Sequence, residues 1–143
     1  MWISRQKIFG REQLQELFSS VGWQSGYRPD KLALALQNSS RVISAWDGTM
    51  LVGLVRGLDD GVWQATIDCL LVHRDYQGQG IASTLLAAIQ QDYQDMLYID
   101  VIPEEHKNVP FYERHGFHIM EEGTAMQIVH PKWFGPDDRQ DGH

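Results

Sequence analysis

The most constraining feature of this chain is a glycine-rich loop between an apolar run and a helical pattern. The apolar run covers residues 67–72, and the loop, called here the glycine loop, covers residues 77–83. Glycine lets backbone N–H groups approach a ligand closely, and a helix N-terminus adds unpaired donors. The arrangement therefore predicts a loop that binds a pyrophosphate. The apolar residues that follow have the i, i+3, i+4, i+7 spacing of an amphipathic helix: Ala82, Leu85, Leu86 and Ile89.

Several interpretations compete for this segment, including a tight turn without any ligand. A Walker loop needs Gly-Lys followed by Ser or Thr, and the glycine loop contains no lysine. A dinucleotide-binding loop needs a third glycine after Gly78 and Gly80, where Ser83 stands instead. A third pattern, Gln/Arg-x-x-Gly-x-Gly/Ala, is matched in full by Gln77, Gly80 and Ala82. We favour this third pattern.

A second motif lies at residues 109–117 and reads Val-Pro-Phe-Tyr-Glu-Arg-His-Gly-Phe. It predicts a short helix that ends at Gly116, with Phe117 beginning the next strand. Between Gly80 and Tyr112 there is room for one helix and one strand. In this order and spacing the two motifs resemble the GNAT N-acetyltransferase superfamily. The resemblance covers residues 14–129.

The resemblance implies a fold, an activity and a co-substrate. The fold is an α/β (α+β) acyl-CoA N-acyltransferase fold, with a mixed, mostly antiparallel sheet of about six to seven strands flanked by helices. The expected activity is transfer of an acetyl group from acetyl-CoA to the primary amine of a small molecule, by direct attack in a ternary complex. Residues 28–32 and 65–67 also resemble arylalkylamine acetyltransferases of plants and cyanobacteria. Two alternatives stay open: a non-catalytic acyl-CoA sensor, and an acetyltransferase acting on lysines or N-termini of proteins or peptides.

Periodicity along the chain indicates a single domain over residues 1–130. The Pro-, Asp- and Gly-rich residues 131–143 are expected to form a frayed acidic tail. Helices are predicted from Leu14 to Val21 and at residues 29–36, 80–93 and 109–115. Strands are predicted at residues 2–5, 41–46, 50–58, 62–72, 96–102, 117–120 and 124–129, the last two forming a hairpin.

Composition restricts the partners. The formal net charge of −7 argues against non-specific nucleic-acid binding, which needs a basic face, and suits an amine substrate. The single cysteine, Cys69, lies in an apolar run and is expected to be a buried thiol in a cytoplasmic protein. No run is apolar enough to span a membrane, and the scattered histidines predict no metal site. A homodimer, paired through a sheet edge or the end hairpin, is an open alternative.

The resemblance also implies cofactor-binding roles. Leu70, Leu71 and Val72 would pair with the pantetheine arm, and a backbone N–H, that of Leu71 first, would donate to the thioester oxygen. The same three residues are also what an ordinary buried strand would contain. Asn108 would either contact the cofactor or cap the helix that carries Tyr112, and capping is the preferred interpretation. The pyrophosphate would be held by the glycine loop: Gln77, Gly78, Gln79, Gly80, Ile81, Ala82 and Ser83.

Tyr112 aligns with the tyrosine that protonates the departing CoA thiolate, although it could simply be a packed aromatic side chain. The general base is less obvious, because many relatives carry Glu where Thr66 stands. Asp68 lies two residues further along and faces the same side of an unbulged strand, so it is the preferred base. Further alternatives are His73, which could equally be an exposed loop histidine, and the carboxylates of Glu104 and Glu105.

The acceptor pocket is expected beside the segment between the first two helices. Trp23, Tyr27 and Arg28 would frame it, because an aromatic ring attracts a cationic amine through cation–π contact. Packing of Trp23 and Tyr27 against the sheet is the alternative.

Overall fold

The computed structural model describes residues 1–23, 26 and 28–131. The predicted acidic tail, apart from Pro131, and the predicted pocket residue Tyr27 lie outside this part of the chain. Within it there are five strands: β1 (Trp2–Ser4), β2 (Arg41–Asp47), β3 (Met50–Asp59), β4 (Gln64–Val72) and β5 (Tyr98–Val101). The same residues form four α-helices: α1 (Arg11–Ser20), α2 (Pro29–Gln37), α3 (Ile81–Asp92) and α4 (Val109–Arg114).

The strands form one mixed sheet in the order β1-β2-β3-β4-β5. Strands β1 to β4 are antiparallel neighbours, whereas β5 runs parallel to β4. A parallel pair needs a crossover, and α3 supplies it between β4 and β5. The glycine loop therefore lies where the chain leaves the sheet to begin this crossover helix.

Helices cover both faces of the sheet. On one face, α3 packs its buried stripe, which includes Leu85 and Ile89, against strand residues such as Ile67. On the other face, α1 and α2 pack side chains such as Leu17 and Leu36 against the sheet. Because both faces are covered, residues of β2 and β3 are buried almost throughout instead of on one face only.

Strand β4 begins two residues later than predicted. The carboxylate of Asp60 accepts hydrogen bonds from the backbone N–H groups of Val62, Trp63 and Gln64. These bonds hold residues 60–63 in a turn, because a side-chain acceptor competes with the sheet for the same donors. They also lower the pKa of Asp60, since they stabilise its charged form.

The predicted end hairpin is wrong. Residues 117–120 and 124–129 form no strand, and the side chains of Ile119, Met126 and Ile128 are 62%, 91% and 83% exposed. The alternating sequence pattern is typical of a strand, but it does not provide a neighbouring strand with which to pair. A lone hairpin is only marginally stable without a sheet to pair with, and β5 pairs only with β4 among the described strands.

Candidate active site

Strand β4 has a closed half and an open half. Residues 65–67 pair with β3 on one side and with β5 on the other, ending at the Ile67–Val101 pair. Residues 68–72 pair only with β3 within the described part of the chain. One edge of this half therefore presents backbone N–H and C=O groups without a strand partner. An extended ligand that carries amides can pair with such an edge as an added strand.

Strand alternation decides which backbone groups face the open edge. The N–H of His73 donates to the carbonyl of Val52 on β3, at a distance of 2.8 Å. Successive residues of a strand point their backbone groups to opposite sides, so Leu71 also faces β3 and Val72 faces the open edge. The structure therefore favours Val72, rather than Leu71, as a backbone donor to a ligand.

A β-bulge separates the two halves. Cys69 and Leu70 together oppose Val55, between the Arg56–Asp68 and Leu54–Leu71 pairs. Cys69 has a φ of 54°, in the left-handed region that side chains rarely adopt. Burial, and secondarily the charge of Asp68, raises the pKa of the Cys69 thiol to about 12. The thiol therefore stays protonated at neutral pH, which does not suit a nucleophile, although Cys69 is half-buried and not fully buried as predicted.

The glycine loop turns the chain directly into α3. Gly78 and Gly80 have φ values of 81° and 82°, which glycine adopts without strain, and Gly80 is the N-cap of α3. The first helical bond runs from Thr84 N–H to the Gly80 carbonyl at 3.1 Å, so the N–H groups before it lack intrahelical acceptors. The side chain of Gln77 does not cap α3. Its Nε2 donates a hydrogen bond to the Val72 carbonyl at 3.1 Å. It ties the loop to the open half of β4.

The end of α4 fixes the position of Tyr112. Gly116 has a φ of 94° and its N–H donates to the Glu113 carbonyl, while the Phe117 N–H donates to the Tyr112 carbonyl at 3.2 Å. These two bonds are the Schellman helix ending, which normally includes an apolar contact across the turn. Here that contact is edge-to-face packing of the Tyr112 and Phe117 rings, with centroids 5.8 Å apart.

One cavity of about 940 Å³ connects these elements. Its size lies within the range of ligand sites, roughly 300–1,000 Å³. It is lined by most of the predicted site residues: Trp23, Leu70, Leu71, Val72, Gln77, Gly78, Gly80, Ile81, Ala82, Ser83, Asn108 and Tyr112. Gln79 is exposed, and neither it nor Arg28, the N-cap of α2, belongs to this lining.

The carboxylate candidates for the base differ in their surroundings. Asp68 accepts two hydrogen bonds from Arg56, at 2.7 and 2.8 Å, and does not line the cavity. Glu104 and Glu105 do line it, and Glu105 lies 3.5 Å from the ammonium of Lys107. Burial, followed by the nearby charge of Glu104, raises the pKa of Tyr112. Glu104 is therefore a cavity carboxylate close to the phenol.

Two further residues differ from their predicted surroundings. His73 is not an exposed loop histidine, because it is only 3% exposed and pairs with Glu16 of α1. Asn108 is the N-cap residue of α4, yet its side chain makes no capping hydrogen bond, because its backbone is already αR rather than extended. It lines the cavity instead.

The end of α1 forms a cavity wall of which the sequence predicted only Trp23; Ser19, Ser20, Val21 and Gly22 also line it. Gly22 has a φ of 74°, and its N–H donates to the Ser19 carbonyl. The Trp23 N–H donates to the Phe18 carbonyl at 3.0 Å. The rings of Phe18 and Trp23 pack edge to face at 5.8 Å. This is the same ending as that of α4, and its signal was present: aromatic-x-x-x-Gly-aromatic occurs at residues 18–23 and again at 112–117.

Comparison with known proteins agrees with this geometry. The sequence model of the family described as Acetyltransferase (GNAT) family matches residues 9–117. The chain belongs to this family. The chain is 31% identical over 138 residues to the "Uncharacterized N-acetyltransferase ycf52" of Pyropia yezoensis, covering 92% of this chain and 78% of that protein.

Solved GNAT structures share the fold. A GNAT family acetyltransferase from Streptococcus pneumoniae TIGR4 is 31% identical, with a TM-score of 0.77 over 90% of this chain and 97% of that chain. An aminoglycoside 6'-N-acetyltransferase complexed with coenzyme A is 17% identical, with a TM-score of 0.55 over 66% of this chain and 56% of that chain. As a member of the GNAT family, this protein is an N-acetyltransferase.

Two other site types are not found in the described residues. No helix there has the length and apolar character needed to cross a membrane. No group of His, Cys, Asp and Glu side chains in the same residues could hold a metal ion.

Proposed function

We propose that this protein transfers the acetyl group of acetyl-CoA to a primary amine of a small molecule, by direct attack within a ternary complex. One observation carries the proposal: a single cavity is lined by the open half of β4, the glycine loop and Tyr112. Direct transfer needs the thioester, the amine and the acid in one place. Reactants that are held together in the correct geometry react faster than reactants that must meet in solution.

The residues present fit acetyl-CoA, which would supply a thioester acetyl group activated for transfer to nitrogen. The open edge beside Val72 offers backbone groups to the amides of the pantetheine arm. The N–H groups of Ile81, Ala82 and Ser83, at the start of α3, suit the negatively charged pyrophosphate. Arg74, which is exposed and lines the cavity, adds positive charge.

Tyr112 is the proposed general acid. Its raised pKa keeps the phenol protonated at neutral pH, so its Oη can donate a proton to the thiolate that leaves. The Schellman ending of α4 holds the backbone of Tyr112 in place. This constraint limits how far the phenol, and the proton that it donates, can shift. The phenol should stay protonated beyond its ordinary pKa of 10.0, so Tyr112 should not cause a loss of kcat between pH 7 and pH 9.

Glu104 is the proposed general base, in place of Asp68. An alkylamine has a pKa of roughly 10, so the bound ammonium must lose a proton before it attacks. Asp68 offers both oxygens to Arg56, whereas Glu104 faces the cavity. A carboxylate can take the proton directly or through one water. Glu104 also attracts a cationic acceptor, and Trp23 supplies an aromatic surface to the same cavity.

The test is release of free CoA thiol from acetyl-CoA in the presence of an amine panel: arylalkylamines, polyamines, aminoglycosides, amino acids and lysine peptides. We expect turnover with one class of small amine. Tyr112→Phe should lower kcat by about 10²–10⁴-fold while the Kd of acetyl-CoA, measured by calorimetry, stays the same. Full turnover by Tyr112→Phe would exclude the proposed acid.

A matched pair of carboxylate variants tests the base. Glu104→Gln should lower kcat, whereas Glu105→Gln should have little effect because Glu105 lies beside Lys107. Equal losses in both variants would indicate a general charge effect and count against Glu104 as the base.

The same panel separates the alternatives. Preference for lysine peptides would favour a protein acetyltransferase, and acetyl-CoA binding without turnover of any amine would favour a sensor. We place the activity in the cytoplasm, where a free thiol such as Cys69 persists. A homodimer through the outer edge of β5 and the exposed residues 118–130 is the assembly we propose to test by light scattering.

A further inference from the structure

A hydrogen bond between buried His73 and exposed Glu16 joins two segments that are distant in sequence and lead to the cavity. His73 follows the open half of β4, and its side chain is 4% exposed. Its Nε2 lies 2.6 Å from the Oε2 of Glu16 on α1, whose side chain is 60% exposed.

The hydrogen bonds of His73 define its tautomer. Its Nδ1 accepts a hydrogen bond from the Asp75 N–H at 3.1 Å, so Nδ1 carries no proton. The ring proton is therefore on Nε2, which donates to the Glu16 carboxylate. The neutral ring satisfies both neighbours at once, and rotation of the ring would break both bonds.

A second contact reinforces the first. One turn further along α1, the Oγ of Ser20 accepts a hydrogen bond from the Arg74 N–H at 3.2 Å. Ser20 and Arg74 both line the cavity, and α1 ends at Ser20, just before the wall that contains Trp23. The contacts of Glu16 and Ser20 therefore hold this wall against residues 73–75, which lead directly into the glycine loop.

Apolar packing already holds α1 to the sheet. Leu14, Leu17 and Phe18 are completely buried in the core on that face. Such packing is strong but not directional, whereas a hydrogen bond has a preferred length and angle. The His73–Glu16 bond is thus suited to set where the end of α1 lies, without being needed for the helix to form.

We propose that Glu16 and His73 are positioning residues that place the acceptor wall at the end of α1 relative to the glycine loop. The proposal rests on the proposed function, since the wall matters only where an acceptor binds beside the acyl-CoA. Neither residue lines the cavity or touches the reacting atoms. Loss of their bond should therefore weaken acceptor binding more than it weakens acetyl-CoA binding.

The test uses Glu16 because it is exposed, whereas replacing the buried His73 risks unfolding the protein. Glu16→Ala should raise the KM of the acceptor by about threefold to tenfold, the range expected for loss of one hydrogen bond of ordinary net strength. We expect kcat and the Kd of acetyl-CoA to change by less than about twofold, because the residues proposed to bind and protonate are untouched.

Two variants serve as controls. Glu16→Gln keeps an oxygen that can accept the Nε2 proton and should restore the KM towards that of the wild type. Glu12→Ala removes an exposed carboxylate one turn earlier on α1, and it should leave the KM unchanged. A KM raised equally by Glu12→Ala, or unchanged in Glu16→Ala, would overturn the proposal. So would a parallel rise in the Kd of acetyl-CoA.

Amide hydrogen exchange tests the link without turnover. In Glu16→Ala, but not in Glu12→Ala, the N–H groups of Trp23, Arg74 and Asp75 should exchange several-fold faster, since their acceptors lie on the joined segments. Unchanged exchange would overturn the link. If the wild type acetylates no amine while the exchange responds as expected, the proposed function fails and the structural link stands.

Discussion

The ends of α1 and α4 have the same construction but present different residues to the cavity. Both follow aromatic-x-x-x-Gly-aromatic, and in both the two rings pack edge to face at 5.8 Å. In α4 the first aromatic residue, Tyr112, lines the cavity; in α1 the second, Trp23, does so, and Phe18 is completely buried. One helix ending thus holds a hydroxyl at one wall, and the other holds an apolar ring at another.

This difference follows from where each helix packs. Phe18 belongs to the core beneath α1, so the chain beyond Gly22 is the part that reaches the cavity. Helix α4 has no completely buried residue, and the edge-to-face rings of Phe111, Tyr112 and Phe117 pack only at the margin of the core on the α3 face. A local motif therefore specifies a turn and a ring pair, while tertiary packing decides which ring meets the ligand.

The largest effect on activity is expected when the ending of α4 is disrupted. Gly116→Val places a β-branched residue at a φ of 94°, which side chains strongly disfavour. The turn that holds Tyr112 should shift, and kcat should fall on the order of a hundredfold, the cost of a displacement of about 1 Å. The acceptor KM should change little. Steady-state kinetics with folding checked by urea titration measures both.

Gly116→Asn is the control, because Asn tolerates the left-handed region far better than Val does. It should recover most of the activity. Equal losses in both variants would contradict the expected difference in backbone tolerance, and steric volume would not explain them because an added Cβ meets no atom within 4 Å.

Breaking the ending of α1 should have a smaller effect of a different kind. Gly22→Val meets the same backbone conflict at a φ of 74°. Because this ending positions Trp23 and not the acid, we expect the acceptor KM to rise by about tenfold and kcat to change by less than about twofold. A fall in kcat without a change in KM would reverse the roles given to the two walls. Gly22→Asn again controls for side-chain volume.

The parts of the site that a local pattern encodes were predictable from the sequence. The glycine loop and the helix ending at Gly116 depend on backbone conformations that glycine favours, so the residues themselves report the geometry. The same signal occurs at Gly22, where the sequence analysis predicted only that the helix ends at Val21. The family resemblance then supplied the roles that local chemistry could not.

The remaining features depend on contacts between distant residues. The β-bulge at Cys69 changes which side each backbone group faces, and nothing in an apolar run such as residues 67–72 marks where it occurs. The Arg56–Asp68 pair and the burial of His73 under α1 join residues at least twelve positions apart. The prediction of the end hairpin was wrong for the same reason. Alternation of apolar and polar residues predicts a strand, but a strand also needs a neighbouring strand to pair with.

The smallest effect on activity is expected from loss of the ring contact between Tyr112 and Phe117. Phe117→Leu keeps an apolar side chain and the Phe117 backbone N–H bond to Tyr112, but removes the edge-to-face contact. Such contacts are worth about 0.5–1.5 kcal/mol, so kcat should fall by roughly twofold to tenfold, with the smaller value expected because the backbone bonds remain. Phe117→Tyr, which keeps the ring, should match the wild type in the same assay. If Phe117→Leu lowers kcat as much as Gly116→Val, the ring contact and not the glycine turn positions the acid.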